Sequence, residues 1–196
     1  MVKTVIFDAD GMIVNGERFS SRLEREYGIS TDTTDSFFKN EFQLCLVGKA
    51  DLKQELLKNL DQWGWNKGVD ELLDYWFSEE QNRIDNRFSA VIRKLREKHI
   101  KTYLATNNEK YRTRNLLEDR RLGEWFDDIF SSAYVGSMKP NASFFQHILD
   151  KTGAKIEETV FWDDDIKNTD GAASFGLSVE VYKNFEQFKK AAENLM

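Results

Sequence analysis

Two carboxylates one residue apart, Asp8 and Asp10, close the apolar run Thr4 to Phe7 and are followed at once by Gly11. Acids crowded at the mouth of a buried strand repel one another. They stay ionised together only if a cation shares their space; otherwise at least one pKa rises. A second acidic group, Asp163, Asp164 and Asp165, ends the apolar run beginning at Thr159, and a third run, Ile100 to Asn108, ends near Thr106 and Asn107. Lys139, in GSMKPNASF, lies in the connection between the second and third of these runs. If the three runs are neighbouring strands of an open parallel sheet, their carboxyl ends carry all of these residues to one edge, where such sheets bind ligands. Aspartate oxygens suit a hard ion such as Mg²⁺, which keeps several waters and accepts a substrate phosphate as a further ligand.

The surrounding pattern supplies the elements that must hold this edge together. KTVIFDAD, IKTYLATNN and TVFWDDD are β-branched and aromatic runs of the kind buried on both faces of a parallel sheet. Helical spacing links them: Phe88, Val91, Ile92 and Leu95, with Asn86 as N-cap, precede the second run, and Phe144, Phe145, Ile148 and Leu149, closed by Gly153, precede the third. A weaker strand, Leu177 to Tyr182, follows a short helix whose Ala172 and Ala173 permit close packing, and Phe185 to Leu195 reads as a closing helix. Strands alternating with helices predict an α/β fold built on a parallel sheet.

Between Asn15 and Asp85 the strand signal vanishes. Amphipathic stretches replace it: Phe19, Leu23 and Tyr27 up to Gly28; Phe37, Phe38, Phe42 and Cys45; Leu52, Leu56, Leu57 and Leu60; Leu72, Leu73, Trp76 and Phe77. Asp51 with Gln54 forms a capping box. The expected organisation is a core domain of residues 1–14 and 86–196 with a helical subdomain, residues 15–85, inserted after the first strand.

A chain of 196 residues accommodates one such domain with its insertion. Its net charge of −6 disfavours an electrostatic grip on nucleic acid or an anionic membrane, so any anion must be met by local charge or a metal. A single cysteine, Cys45, excludes an intramolecular disulfide and a cysteine-based zinc site. With no basic leader, no apolar signal region and no window approaching the ~18 apolar residues of a membrane span, the expected location is cytoplasmic.

Four ordered segments, Asp8-Ala9-Asp10-Gly11, Thr106-Asn107, Lys139-Pro140, and Asp163-Asp164 with Asn168, resemble the motifs of the haloacid dehalogenase-like hydrolase superfamily. The insertion resembles that superfamily's small C1-type helical cap on a Rossmann-like core. FWDDDIKNTDGAASFGL resembles the double-aspartate fourth motif of its sugar-phosphatase-like and epoxide hydrolase N-domain-like members. The resemblance implies a Mg²⁺-dependent phosphatase acting on a small phosphomonoester. Asp8 would be the nucleophile and Asp10 the general acid and base. The Asp8 side chain, the Asp10 carbonyl and Asp164 would hold the metal, Lys139 and Thr106 would stabilise the transferring group, and Asp163 and Asn168 would orient the ligands. Thr106, Asn107 and Lys139 would meet the substrate, and Gly48 and Lys49, in a turn between cap helices, would face the site from above. An acid at position 10 points to an alkoxide leaving group rather than a halide. Asp165 reads as a helix N-terminal acid.

Two other readings share the scaffold: a phosphosugar mutase, which would keep every core residue, and a non-catalytic regulatory or binding protein. The intact set of acids with Lys139 disfavours the latter. His99 and His147 have no triad partners, and Trp63, Trp65 and Trp76 read as cap core. Substrate contacts could come from Arg18, Arg22, Arg25, Lys39, Lys49 or Lys67, whose inward or outward direction periodicity does not decide, and oligomeric state is likewise open.

Overall fold

The computed structural model describes residues 1–196. The chain runs β1 (Thr4–Phe7), β2 (Val14–Asn15), then six helices, α1 (Phe19–Tyr27), α2 (Thr31–Lys39), α3 (Glu41–Leu46), α4 (Leu52–Leu57), α5 (Leu60–Trp63) and α6 (Val69–Phe77), and returns through β3 (Arg83–Ile84). There follow α7 (Arg87–Glu97), β4 (Lys101–Thr106), α8 (Lys110–Arg114) continued by a π-helical turn at Asn115–Asp119, β5 (Asp128–Ser131), α9 (Ser132–Val135) and α10 (Ala142–Thr152). β6 (Thr159–Asp163), α11 (Ile166–Phe175), β7 (Ser178–Val181) and α12 (Phe185–Leu195) complete it.

Five strands form one parallel sheet in the order β5-β4-β1-β6-β7. β1 is central because it alone is buried on all sides, and its register places Phe7 between Leu104 of β4 and Trp162 of β6. Alternate residues feed two cores. Val5, Phe7, Leu104 and Trp162 pack with Phe88, Ile92 and Phe188 of α7 and α12, while Ile6, Tyr103, Ala105 and Phe161 pack with Phe144, Phe145, Ile148 and Ala172 of α10 and α11. This period of two is what a sheet covered by helices on both faces requires.

The inserted helices bury a core of their own, built on Phe19, Leu23, Phe37, Cys45, Leu56, Trp63 and Leu72. Cys45 lies inside it, and burial pushes its thiol up to about 12. The chain enters and leaves this region through the antiparallel pair β2–β3, with Val14 opposite Ile84. No helix is long and apolar enough to cross a membrane.

Local details refine the sequence reading. Gly28 and Gly153 end their helices in the left-handed conformation, and Asp51 accepts from the Gln54 amide, as expected. The cap of α7 comes from Asp85, whose Oδ1 accepts from the Arg87 amide at 3.1 Å; the Asn86 side chain makes no capping bond. The Phe37-to-Cys45 stretch is two helices broken at Asn40, and β5 is an additional edge strand whose short DIFS segment carries too few apolar residues to announce itself.

Candidate active site

Asp8 follows β1, Thr106 ends β4 and Asp163 ends β6, so three adjacent parallel strands deliver these side chains to one edge. The Lys139 ammonium stands between two of the acids, donating to Asp8 Oδ1 at 2.5 Å and Asp163 Oδ2 at 2.7 Å, with all three residues buried. Its position is fixed by Asn107: the Asn107 amide donates to the Lys139 carbonyl and its Oδ1 accepts from the Lys139 backbone amide, both at 2.9 Å. Asn107, expected to meet substrate, thus has both ends of its amide occupied in holding the Lys139 loop.

The acids differ in how much hydrogen-bonding capacity they retain. Asp163 is saturated: Oδ1 accepts from the Asp165 amide and Asn168, and Oδ2 from Lys139 and Asn168. Asp164 is exposed and has no side-chain partner, and Asp8 uses only Oδ1. Oxygens of Asp8, Asp163 and Asp164 lie within 4.8 Å of one another. Gly11, at φ +84°, brings its backbone so close to Asp164 that a Cβ there would sit 2.1 Å from the carboxylate. The unengaged oxygens of Asp8 and Asp164 therefore fit a hard cation, whereas Asp163 is committed to orienting Lys139.

Charge reinforces this. Two buried acids share a single ammonium. Burial pushes the Asp8 carboxyl above its ordinary range, with Lys139 opposing and Asp163 assisting. Lys139 is held charged by the two acids against the cost of its own burial, and desolvation followed by Asp163 raises Asp164. A further positive charge would bring the acids back to ionisation.

Asp8, Asp10, Thr106, Asn107, Lys139, Asp163, Asp164, Asp165 and Asn168 line one cavity of about 320 Å³. Asp165 accepts from the Lys167 amide and caps α11, the helix-stabilising place expected for it. Asp10 also borders a second cavity of about 350 Å³ between the inserted helices and the sheet. Its carboxylate is gripped there by Asn108, at 2.7 Å, and Arg112, at 3.1 Å. Asn108 also donates to Thr106 Oγ1 at 2.6 Å, joining the two cavities through one amide.

Gly48 and Lys49 line neither cavity. Gly48 packs against the carbonyl of Ala133 in α9, and Lys49 is exposed, so this turn braces the insertion on the core. The insertion reaches the second cavity with Glu17, Arg18, Phe42, Trp76, Phe77 and Asn82 instead. Trp76, expected in the helical core, stacks on Phe19 at 4.1 Å yet remains half-buried on the cavity wall. Of the cap cations, Arg18 alone borders it, while Arg22 is buried under Tyr75 and Glu26. Asn108, Glu109 and Arg112 escaped the sequence reading. Glu109 caps α8 by accepting from the Tyr111 and Arg112 amides, so Asn108 precedes the helix and no helical spacing ties it to Arg112.

Residues 2–176 match the haloacid dehalogenase-like hydrolase family. A sesquiterpene phosphatase of Aspergillus oryzae is 32% identical over 95 residues, so the match spans 48% of this chain and 48% of that protein. Over whole structures the fold is shared with a predicted haloacid dehalogenase-like hydrolase from Porphyromonas gingivalis, at a TM-score of 0.83 and 22% identity, covering 100% of this chain and 98% of the other. It is also shared with a family enzyme from Bacteroides thetaiotaomicron solved with magnesium and inorganic phosphate, at 0.82 and 19%, covering 96% and 99%. By its sequence match and its architecture, the chain belongs to the haloacid dehalogenase-like hydrolases.

Proposed function

We propose that this hydrolase is a Mg²⁺-dependent phosphatase of small phosphomonoesters that works through an aspartyl-phosphate. The observation that carries the reading is Lys139 bridging Asp8 and Asp163 while free oxygens of Asp8 and Asp164 face the same cavity as Asp10. Such a set accommodates one dianion only with a divalent ion beside it. The Asp8 and Asp164 carboxylates and the Asp10 carbonyl would hold the metal. Bound there, Mg²⁺ would offset the repulsion between phosphate and carboxylate.

In the first displacement an Asp8 oxygen forms a bond to phosphorus as the ester P–O bond breaks, and the Asp10 carboxylic acid gives its proton to the departing alkoxide. In the second, Asp10, now ionised, takes a proton from water as that water attacks the acyl phosphate, which releases inorganic phosphate and restores Asp8. The Lys139 ammonium, held between its two acids, and the Thr106 hydroxyl lie where negative charge builds on the transferring group. Asn108 and Arg112 keep Asp10 aimed. The inserted helices, 15–85, act as a cap that swings on the β2–β3 pair to admit substrate and exclude water.

A phosphate-release screen over sugar phosphates, nucleotides and short alkyl and aryl phosphates, with and without Mg²⁺, tests this. Release should require the metal and fall by roughly 10⁴-fold or more in Asp8→Asn. Retained turnover in that variant refutes the nucleophile assignment, and an isomeric product in place of phosphate would indicate a mutase.

A further inference from the structure

The cavity beside Asp10 is lined by three acids, of which Asp10 and Glu109 have both carboxylate oxygens engaged and Glu17 has one. Asp10 accepts from Asn108 and Arg112, Glu17 from Arg25, and Glu109 from the amides of Tyr111 and Arg112 at 2.7 and 2.5 Å. The Asn82 amide donates to the carbonyls of Trp76 and Ser78, and that of Asn108 to Asp10 and Thr106. Donor capacity, by contrast, is left over. Arg112 is only 6% exposed, yet its Nη1 has no partner, which is costly for a buried guanidinium. Arg18 is exposed at the same cavity and enters no ion pair, its neighbour Glu17 having turned to Arg25. The apolar part of the lining is Phe42, Trp76 and Phe77, with the Arg112 guanidinium 5.7 Å from the Phe77 ring centre. A ligand complementary to this surface brings acceptor oxygens and negative charge together with a short stretch of carbon.

The position of Arg112 specifies where that charge belongs. Its Nη2 holds Asp10, the acid that meets the ester oxygen, and Nη1 shares a carbon with Nη2. An oxygen answering Nη1 must therefore lie only a few bonds from the scissile ester.

We propose that the phosphomonoester handled here carries a second anionic group, a carboxylate or another phosphate, received by Arg112 Nη1 and Arg18 while Phe42, Trp76 and Phe77 cover the intervening carbon. This rests on the phosphatase reading above and deepens it. Arg112 then has two tasks, positioning Asp10 and selecting the substrate.

Matched pairs of esters test it: 3-phosphooxypropionate against propyl phosphate, and propane-1,3-diol bisphosphate against 3-hydroxypropyl phosphate. The doubly anionic member should have at least tenfold higher kcat/KM, and the pair with the larger ratio tells carboxylate from phosphate. Arg18→Ala, at an exposed position, and Arg112→Lys, which keeps a cation beside Asp10, should each move that ratio towards one. A ratio near one in the unaltered protein, or a ratio unchanged in both variants, overturns the proposal while leaving the phosphatase reading standing. If no ester and no p-nitrophenyl phosphate releases phosphate, the phosphatase reading fails. Calorimetric titration of the corresponding non-hydrolysable phosphonates, in Mg²⁺, still decides this one: tenfold tighter binding of the doubly anionic member supports it, and equal binding overturns it.

Discussion

The two cavities that meet at Asp10 are built on opposite plans. Around Lys139, the groups come from strand ends, the loop clamped by Asn107 and the first turn of α11, and Asp8, Lys139 and Asp163 are buried and joined by hydrogen bonds between side chains far apart in sequence. Around Arg112, half of the wall belongs to the inserted helices, aromatic rings face charged groups, and donors remain unanswered. The first plan is rigid because a buried ion cluster tolerates little displacement. The second resembles a substrate-facing surface, whose unfilled bonds await what binds. On the proposed function, the first cavity handles the phosphoryl group and the second selects what carries it, a division that the four predictions below can break.

The largest effect should come from Lys139→Met. It leaves Asp8 and Asp163 buried without their ammonium, which should cost about 3 kcal/mol of stability. For a chain of this size that is a fall in Tm on the order of 10 °C, together with loss of phosphate release. An unchanged melting curve would mean that the cluster is looser than its distances imply.

Next in size, Asp10→Asn should lower turnover of alkyl phosphates roughly 10²- to 10⁴-fold, but that of an aryl phosphate, whose leaving group needs no proton, far less. Equal losses on both would remove Asp10 from acid catalysis and leave it a wall residue shared by the two cavities.

Smaller again is Gly11→Ala. A side chain at φ +84° costs about 1 kcal/mol or more, and the Cβ must push the Asp164 carboxylate aside. The Mg²⁺ concentration giving half-maximal phosphate release should rise. If it does not, Asp164 is not a metal ligand.

Glu109→Gln should disturb turnover least and is read from stability against pH. Burial pushes the Glu109 carboxyl up to about 7, opposed by the amides of Arg112 and Tyr111. The unfolded chain therefore releases this proton at lower pH than the folded one. The stabilisation is fully present below about 4.5 and is lost as pH rises towards 7. Denaturant melts between those values should show a decline that flattens in the glutamine variant, and parallel curves would show that Glu109 titrates normally.

Much of the cluster around Lys139 is legible in the sequence because its residues sit at fixed offsets from apolar runs. A strand buried on both faces must end where polar residues begin, so Asp8, Thr106 and Asp163 mark their own positions. The same logic finds the helices that cover the sheet, through Phe88, Ile92, Phe144 and Ile148. It fails at β5, where Ile129 and Phe130 are too few to carry a period, and it cannot tell that Asn107 turns to the Lys139 backbone. Trp76 shows the limit most clearly. Its helical spacing is that of a core residue and it does stack on Phe19, but whether its other face meets solvent, protein or a cavity depends on where another part of the chain lies.

By itself the sequence determined the α/β alternation, the inserted helices and the acids with their lysine, since hydrophobic periodicity and turn chemistry act over a few residues and are written locally. Only the tertiary structure decided that Asp163 is saturated while Asp164 is free, that Arg112 grips Asp10, and that Phe42 and Trp76 rather than Gly48 and Lys49 border the site. Those outcomes turn on distances between side chains up to 102 positions apart along the chain. Hydrogen bonding and desolvation act through space, and no local pattern encodes which donors are left without an acceptor.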